Sequence, residues 1–167
     1  MSAVTRSRFV LVAAVVAAFV LGVLLPGALA QGGSEPTAVR SALALTGRVQ
    51  GAPGRTMVLS RVVVEPGAQL ALHHHLGTQI SRVASGTLTY TVRQGSATLR
   101  EGDAEKDPRL VRTIKAGQTA RIQPGQWLVE QPSDIHEAAN RGSTPVVIYL
   151  STLLKTGAPP ATPVTLP

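Results

Sequence analysis

Residues 67–86 read Gly67-Ala-Gln-Leu-Ala-Leu-His73-His74-His75-Leu-Gly-Thr-Gln79-Ile-Ser-Arg-Val-Ala-Ser-Gly86. Side chains at i and i+2 of an extended strand leave the same face, so the imidazoles of His73 and His75 can converge on one point while His74 points away. Two donors so placed form a chelate, although successive histidines can also mark no more than a polar strand end. His136, far along the chain, opens a second short block and tilts the reading towards a metal site. Imidazole nitrogen suits Zn, Cu, Fe and Ni, and three such ligands with an open position make a competent catalytic-type site.

The surroundings of these histidines are β in texture. From Thr56 the chain consists of short runs rich in Val, Ile, Leu and Thr without sustained 3.6-residue periodicity. The runs are 57–64, 78–83, 87–92, 96–99, 110–114, 119–122, 127–131, 136–139 and 145–153. Turn signals separate them at Pro66-Gly67, Ser85-Gly86, Gln94-Gly95, Ala116-Gly117, Pro124-Gly125, Pro132-Ser133-Asp134 and Arg141-Gly142-Ser143. Short strands at this spacing predict an all-β sandwich or jelly-roll barrel. The acidic stretch from Glu101 to Asp107 reads as a solvated loop between strands.

Composition narrows the chemistry. A chain of 167 residues, 44% hydrophobic, suits one domain with its own core. It has no cysteine, which excludes disulfides, thiolate metal sites and a cysteine nucleophile. The net charge is +7, but the basic residues are scattered, and past the N-terminal region the aromatics are Tyr90, Trp127 and Tyr149 alone. Such a surface offers no stacking platform for single-stranded nucleic acid, and no nucleic-acid partner is expected.

The histidine segment resembles the first motif of the cupins in every spacing: Gly67, five residues, His73, one residue, His75, three residues, Gln79, six residues, Gly86, with Gln79 where the family usually has Glu. Downstream, Gly125-Gln-Trp-Leu-Val-Glu-Gln-Pro132-Ser-Asp-Ile-His136-Glu-Ala-Ala-Asn140 looks like the second motif, with Ser133 or Asp134 in place of the family's glycine. The resemblance covers Met57 to Leu153 and implies a single-domain cupin jelly-roll β-barrel. Its metal would be bound at the positions of His73, His75, Gln79 and His136. The implied cofactor is a divalent transition metal: Fe, Mn, Zn, Ni or Cu. An amide at position 79 is a neutral, weaker donor than a carboxylate, so Gln79 either ligates through oxygen or stands behind the ligands as a hydrogen-bond donor.

Other residues read as supporting structure. Glu137, next to His136, should project to the opposite face. Trp127 and Tyr90 are expected in the core ahead of a pocket wall. Gly67, Gly86, Gly117 and Gly125 form turns, and Asn140 organises the turn after its strand.

Residues 1–30 have the pattern of a secretory signal: Arg6 and Arg8, an apolar run from Phe9 to Leu25, Pro26-Gly27, then Ala28-Leu29-Ala30 before cleavage at Gln31. An uncleaved membrane anchor over residues 9–25 is the alternative, and only then would a membrane be a partner. A leader with one short element at most is expected over residues 31–55, the barrel over 56–154, and a proline-rich disordered tail over 155–167.

Two functions fit. One is a metal-dependent oxygenase, isomerase or decarboxylase acting on a small anionic molecule, since neutral ligands leave a divalent ion its full charge. The other is a non-catalytic extracytoplasmic protein that binds a metal or small ligand. The partner expected is a small molecule, and assembly as a homodimer is compatible with either.

Overall fold

The computed structural model describes residues 35–165. The signal-like segment and the cleavage site expected from it lie outside those residues. Within them, no helix is long and apolar enough to cross a membrane.

The strands are β1 (Ala38–Thr46), β2 (Arg55–Val64), β3 (Gln69–His74), β4 (Gly77–Ser85), β5 (Leu88–Gln94), β6 (Ser96–Glu101), β7 (Arg109–Lys115), β8 (Thr119–Ile122), β9 (Trp127–Glu130), β10 (Ile135–Ala139), β11 (Val146–Lys155) and β12 (Thr162–Pro163). They form a seven-stranded sheet in the order β1-β2-β11-β4-β9-β6-β7 and a five-stranded sheet in the order β12-β3-β10-β5-β8. Neighbours pair antiparallel throughout. The all-β jelly-roll expectation is met.

Alternation along the strands builds the interior. On β11, Val146, Ile148, Leu150, Thr152 and Leu154 are buried, and on β2 Ser60, Val62 and Val64 are. Of these, Val62, Val64, Val146, Ile148 and Leu150 meet Val83, Tyr90, Val92, Leu99, Ile114, Ile122 and Leu128 in one cluster. Along β4 the inward residues change from Gln79 and Ser81 to Val83. Cross-strand register aligns this change over three strands: Thr152 of β11 pairs with Gln79 of β4, which pairs with Glu130 of β9. In the other sheet His73 of β3 pairs with His136 of β10. The barrel therefore has an apolar region and, at one level, a buried polar layer.

Turns are as expected. Gly67, Gly86, Gly117 and Gly125 all have positive φ. At Gly86 (φ 72°) a Cβ would also come within 2.7 Å of the Pro145 carbonyl oxygen, so position and conformation both require glycine. Where the second motif lacks its glycine, Asp134 closes the turn: its carboxylate accepts from the backbone N–H of Ser96 (3.0 Å) and Gln131 (2.7 Å). Asn140 donates to the carbonyls of Val64 (2.9 Å) and Thr144 (2.8 Å) and accepts from Gly142 N–H. The 102–108 segment joins β6 to β7 as a turn region whose backbone is capped by Asp103.

Both flanks differ from expectation. The leader contributes β1, a nine-residue strand paired with β2 from Ala38↔Val64 to Thr46↔Met57. The tail is not a free disordered segment: β12 pairs with β3, and Val164 N–H donates to Leu72 O (3.0 Å). In each case a strand edge with unsatisfied N–H and C=O groups captures adjacent chain. Pro163 is tolerated because an edge strand needs no donor on its solvent side.

Candidate metal centre

His73 and His136 reach the interior from paired positions, and His75 enters just beyond the end of β3. Ring centroids are 4.4 Å apart for His73–His136, 4.9 Å for His73–His75 and 5.2 Å for His75–His136. One ring nitrogen of each lies within 4.8 Å of the others, and His75 and His136 are buried. His74 takes no part; its Nδ1 lies 3.3 Å from the Pro132 carbonyl oxygen.

Backbone carbonyls fix two of the rings. Nδ1 of His73 donates to Ala71 O (2.6 Å), and Nδ1 of His75 donates to Pro160 O (2.7 Å). A carbonyl accepts only from an N–H, so each ring keeps its proton on Nδ1 and its lone pair on Nε2, the form that binds a metal. Nδ1 of His136 is buried with no hydrogen-bond partner. Three clustered imidazoles, two carbonyl-oriented and one with an orphaned nitrogen, fit a divalent transition metal.

Glu130 is the residue that sequence reasoning missed. It is 2% exposed, with Oε1 3.4 Å from His136 Nε2 and Oε2 3.9 Å from His75 Nε2. Burial pushes its carboxyl pKa up, but the His136 and His75 imidazoles, the Gln79 amide and the Tyr90 hydroxyl outweigh that and hold it below its ordinary value. The signal was available: in Trp127-Leu-Val-Glu130, Glu130 shares the phase of inward Leu128, so period two puts a carboxylate inside the barrel.

Gln79 is buried beside the cluster, but its amide is turned in a specific way. Nε2 donates to Glu130 Oε2 (2.6 Å) and lies 3.1 Å from His75 Nε2, while Oε1 accepts from Thr152 Oγ1 (3.2 Å). A carboxylate accepts and does not donate, which places the nitrogen, not the oxygen, towards Glu130. Coordination through the amide oxygen requires the reverse orientation.

The remaining candidates separate by face. Tyr90 is buried with its ring stacked on His136, centroids 5.1 Å apart, and its phenol pKa is raised by burial and by Glu130. Trp127 is buried but lies outside the core cluster, covered by the Arg82 guanidinium 5.6 Å from the ring centroid. The expected burial holds, although Trp127 is out of phase with Leu128 and Glu130 and so does not join the cluster that they face. Glu137 projects outward, as expected, and pairs with Arg93 at 2.6 Å.

Burial lowers the pKa of His73 to about 4, reinforced by neighbouring His136 and His75 against the Ala71 carbonyl and Glu130. Burial lowers that of His75 as well. The His73 imidazole is therefore neutral, as ligation requires, well below neutral pH, and His75 is shifted in the same direction.

Beside the cluster is a cavity of about 260 Å³, bounded by β1, β2, β3, β11 and the tail. His73, His75 and Gln79 form its polar floor, and Arg40 of β1 reaches into it.

No family model matches this chain, and no curated protein matches it. Among solved structures it is similar to a cupin 2 domain-containing protein from Halorhodospira halophila, at 17% identity with TM-score 0.50, over 81% of this chain and 76% of that one. It is also similar to a chain from the crystal structures of DMSP lyases RdDddP and RnDddQII (14% identity, TM-score 0.47, 65% of this chain) and to KdgF from Halomonas sp. (20% identity, TM-score 0.47, 72% of this chain and 83% of that one). The chain spans 44% of the length of the lyase chain. Two antiparallel sheets in jelly-roll order, together with the Halorhodospira likeness, establish the cupin fold for this chain, with His73, His75 and His136 clustered inside the barrel.

Proposed function

We propose that the protein is an exported metal-dependent cupin enzyme acting on a small anionic molecule, with His73, His75 and His136 as the metal ligands and Glu130 as the carboxylate of the site. The observation that carries this reading is the buried Glu130 beside two of the three imidazoles. Gln79 itself supplies no acidic group, being an amide. Glu130, on the neighbouring strand, provides a carboxylate beside the imidazoles.

The bound divalent ion would supply Lewis-acid or redox chemistry. Three neutral imidazoles and one carboxylate leave it a net positive charge, which favours an anionic substrate. The residues around it have separate tasks. Carbonyls of Ala71 and Pro160 hold the rings of His73 and His75, Gln79 orients Glu130, and Tyr90 presents a neutral hydroxyl beside the carboxylate. Export rests on the Arg-flanked apolar segment and the Ala28-Leu29-Ala30 pattern.

The test is metal content and metal-bound water in protein purified without an affinity tag from metal-supplemented culture. One equivalent of metal with exchangeable water supports the enzyme. Stoichiometric metal without exchangeable water points to a binding protein, and absence of stoichiometric metal overturns the assignment of the centre.

A further inference from the structure

We infer that the cavity beside the histidine cluster is a binding site for a small carboxylic acid with a compact apolar body, and that Arg40 holds its carboxylate. The inference deepens the proposed function, resting on it only for where the chemistry takes place.

Arg40 is inward-facing and half-buried on β1, the strand formed by the leader. Burial lowers its pKa, against the field of Glu130, yet among the described residues no carboxylate comes within ion-pairing distance of it. Its one side-chain partner is the Thr152 hydroxyl, at 3.5 Å. A partly desolvated guanidinium with donors left unpaired by the protein must be completed by water or by an anion, and an anion adds charge-assisted bonds. Its planar fork matches a carboxylate, with two parallel N–H···O bonds.

The walls define the rest of the ligand. Leu70, Leu72, Ile148 and Leu150 are apolar, and Pro160 and Pro163 of the tail add to the lining. At about 260 Å³, with mostly apolar walls, the space suits an acid of a few carbons better than a highly hydroxylated molecule. A ligand anchored at Arg40 would lie with its body against His73 and His75 on the floor. The leader and the tail thus both contribute lining to one pocket.

Arg40 also connects to the polar layer. Its Nη2 donates to Thr152 Oγ1, Thr152 donates to Gln79 Oε1, and Gln79 donates to Glu130. Occupation of the guanidinium is thereby coupled to the residue that orients the site carboxylate.

The test is calorimetric titration of the full chain with hexanoate, with hexanamide and inorganic phosphate as comparison probes, in metal-free and metal-loaded protein. Hexanoate should bind the metal-free protein, and both hexanamide and phosphate should bind about tenfold or more weakly, because the amide lacks the charge and phosphate lacks the apolar body. Arg40→Met, which keeps the aliphatic stem, should weaken hexanoate by about tenfold or more in the metal-free protein, where metal affinity does not enter the measurement. Ala161→Trp fills the cavity from the tail and should abolish binding without touching Arg40, so the inference does not depend on one variant folding. It is overturned if hexanoate does not bind metal-free protein, if Arg40→Met or Ala161→Trp binds it like wild type, or if phosphate binds more tightly than hexanoate. None of these outcomes bears on whether the histidines hold metal, so failure here is distinguishable from failure of the metal centre.

Discussion

The Gln79 amide nitrogen lies 2.6 Å from the Glu130 carboxylate at directly paired positions of β4 and β9. The amide and the acid form a complementary pair in which each residue explains the other. A second carboxylate at position 79 would bring two anions into contact in a buried site, and one would have to take up a proton. Glutamine at 79 and glutamate at 130 keep one negative charge in this layer and a donor to steady it.

An exchange of the two side chains tests this pairing. Glu130→Gln should weaken metal binding by about tenfold or more, because the charged donor and the acceptor for the Gln79 amide disappear together. Gln79→Glu alone should bring no gain and should lower thermal stability. The double variant Gln79→Glu/Glu130→Gln restores one acid and one amide and should recover most of the lost affinity. Chelator competition measures all three, and additive losses in the double variant would show that the residues do not act as a pair.

The histidines should separate cleanly by face. Alanine at His73, His75 or His136 removes a ring from the cluster and should lower metal affinity by about a hundredfold or more. His74→Ala removes only a contact at Pro132 O and should leave affinity within about threefold. Equal losses at His74 and at the other three would place the metal elsewhere.

What the sequence disclosed about this fold was set by periodicity, and what it concealed was set by edges and register. Apolar runs with period two mark the core strands, and the i, i+2 spacing brings His73 and His75 to one face. β1 and β12 carry no such mark: Leu43 and Leu45 of β1 are exposed, and β12 is two residues containing a proline. Their place is decided by free backbone groups on β2 and β3, which no local pattern encodes. Glu130 was concealed for another reason. A carboxylate in a strand reads as solvent-facing until its phase with Leu128 is counted, and its closeness to Gln79 follows from long-range register alone.

Acid should release metal at lower pH than free imidazole would suggest. In the metal-free protein the pKa of His73 is held at about 4, from an ordinary 6.5, by burial and neighbouring imidazoles. Between those values the unfolded chain takes up a proton that the folded site refuses. The stability from keeping this ring neutral is thus complete above pH 6.5 and is lost progressively as pH falls towards 4. Metal binding should follow the folded ring and persist below 6.5, fading as 4 is approached. Metal retention and thermal melting across this range provide the check. Release complete by pH 6 would mean that His73 titrates as if exposed.

The tail should matter to the metal although none of its residues is a ligand. Pro160 O accepts the proton on His75 Nδ1 at 2.7 Å, fixing both the tautomer and the ring plane of a buried donor. Pairing of Thr162 with His74 and the Val164–Leu72 hydrogen bond hold that carbonyl in place. Deleting residues 157–167 leaves Nδ1 of His75 without its acceptor and opens one side of the cavity. Loss of such an orienting partner typically costs about ten- to a hundredfold in metal affinity, and a loss of that size is expected here. Pro163→Ala, which keeps the Pro160 carbonyl and the backbone pairing, should bind metal nearly as well as wild type. A truncated protein that retained full affinity would show that His75 holds its orientation without the tail.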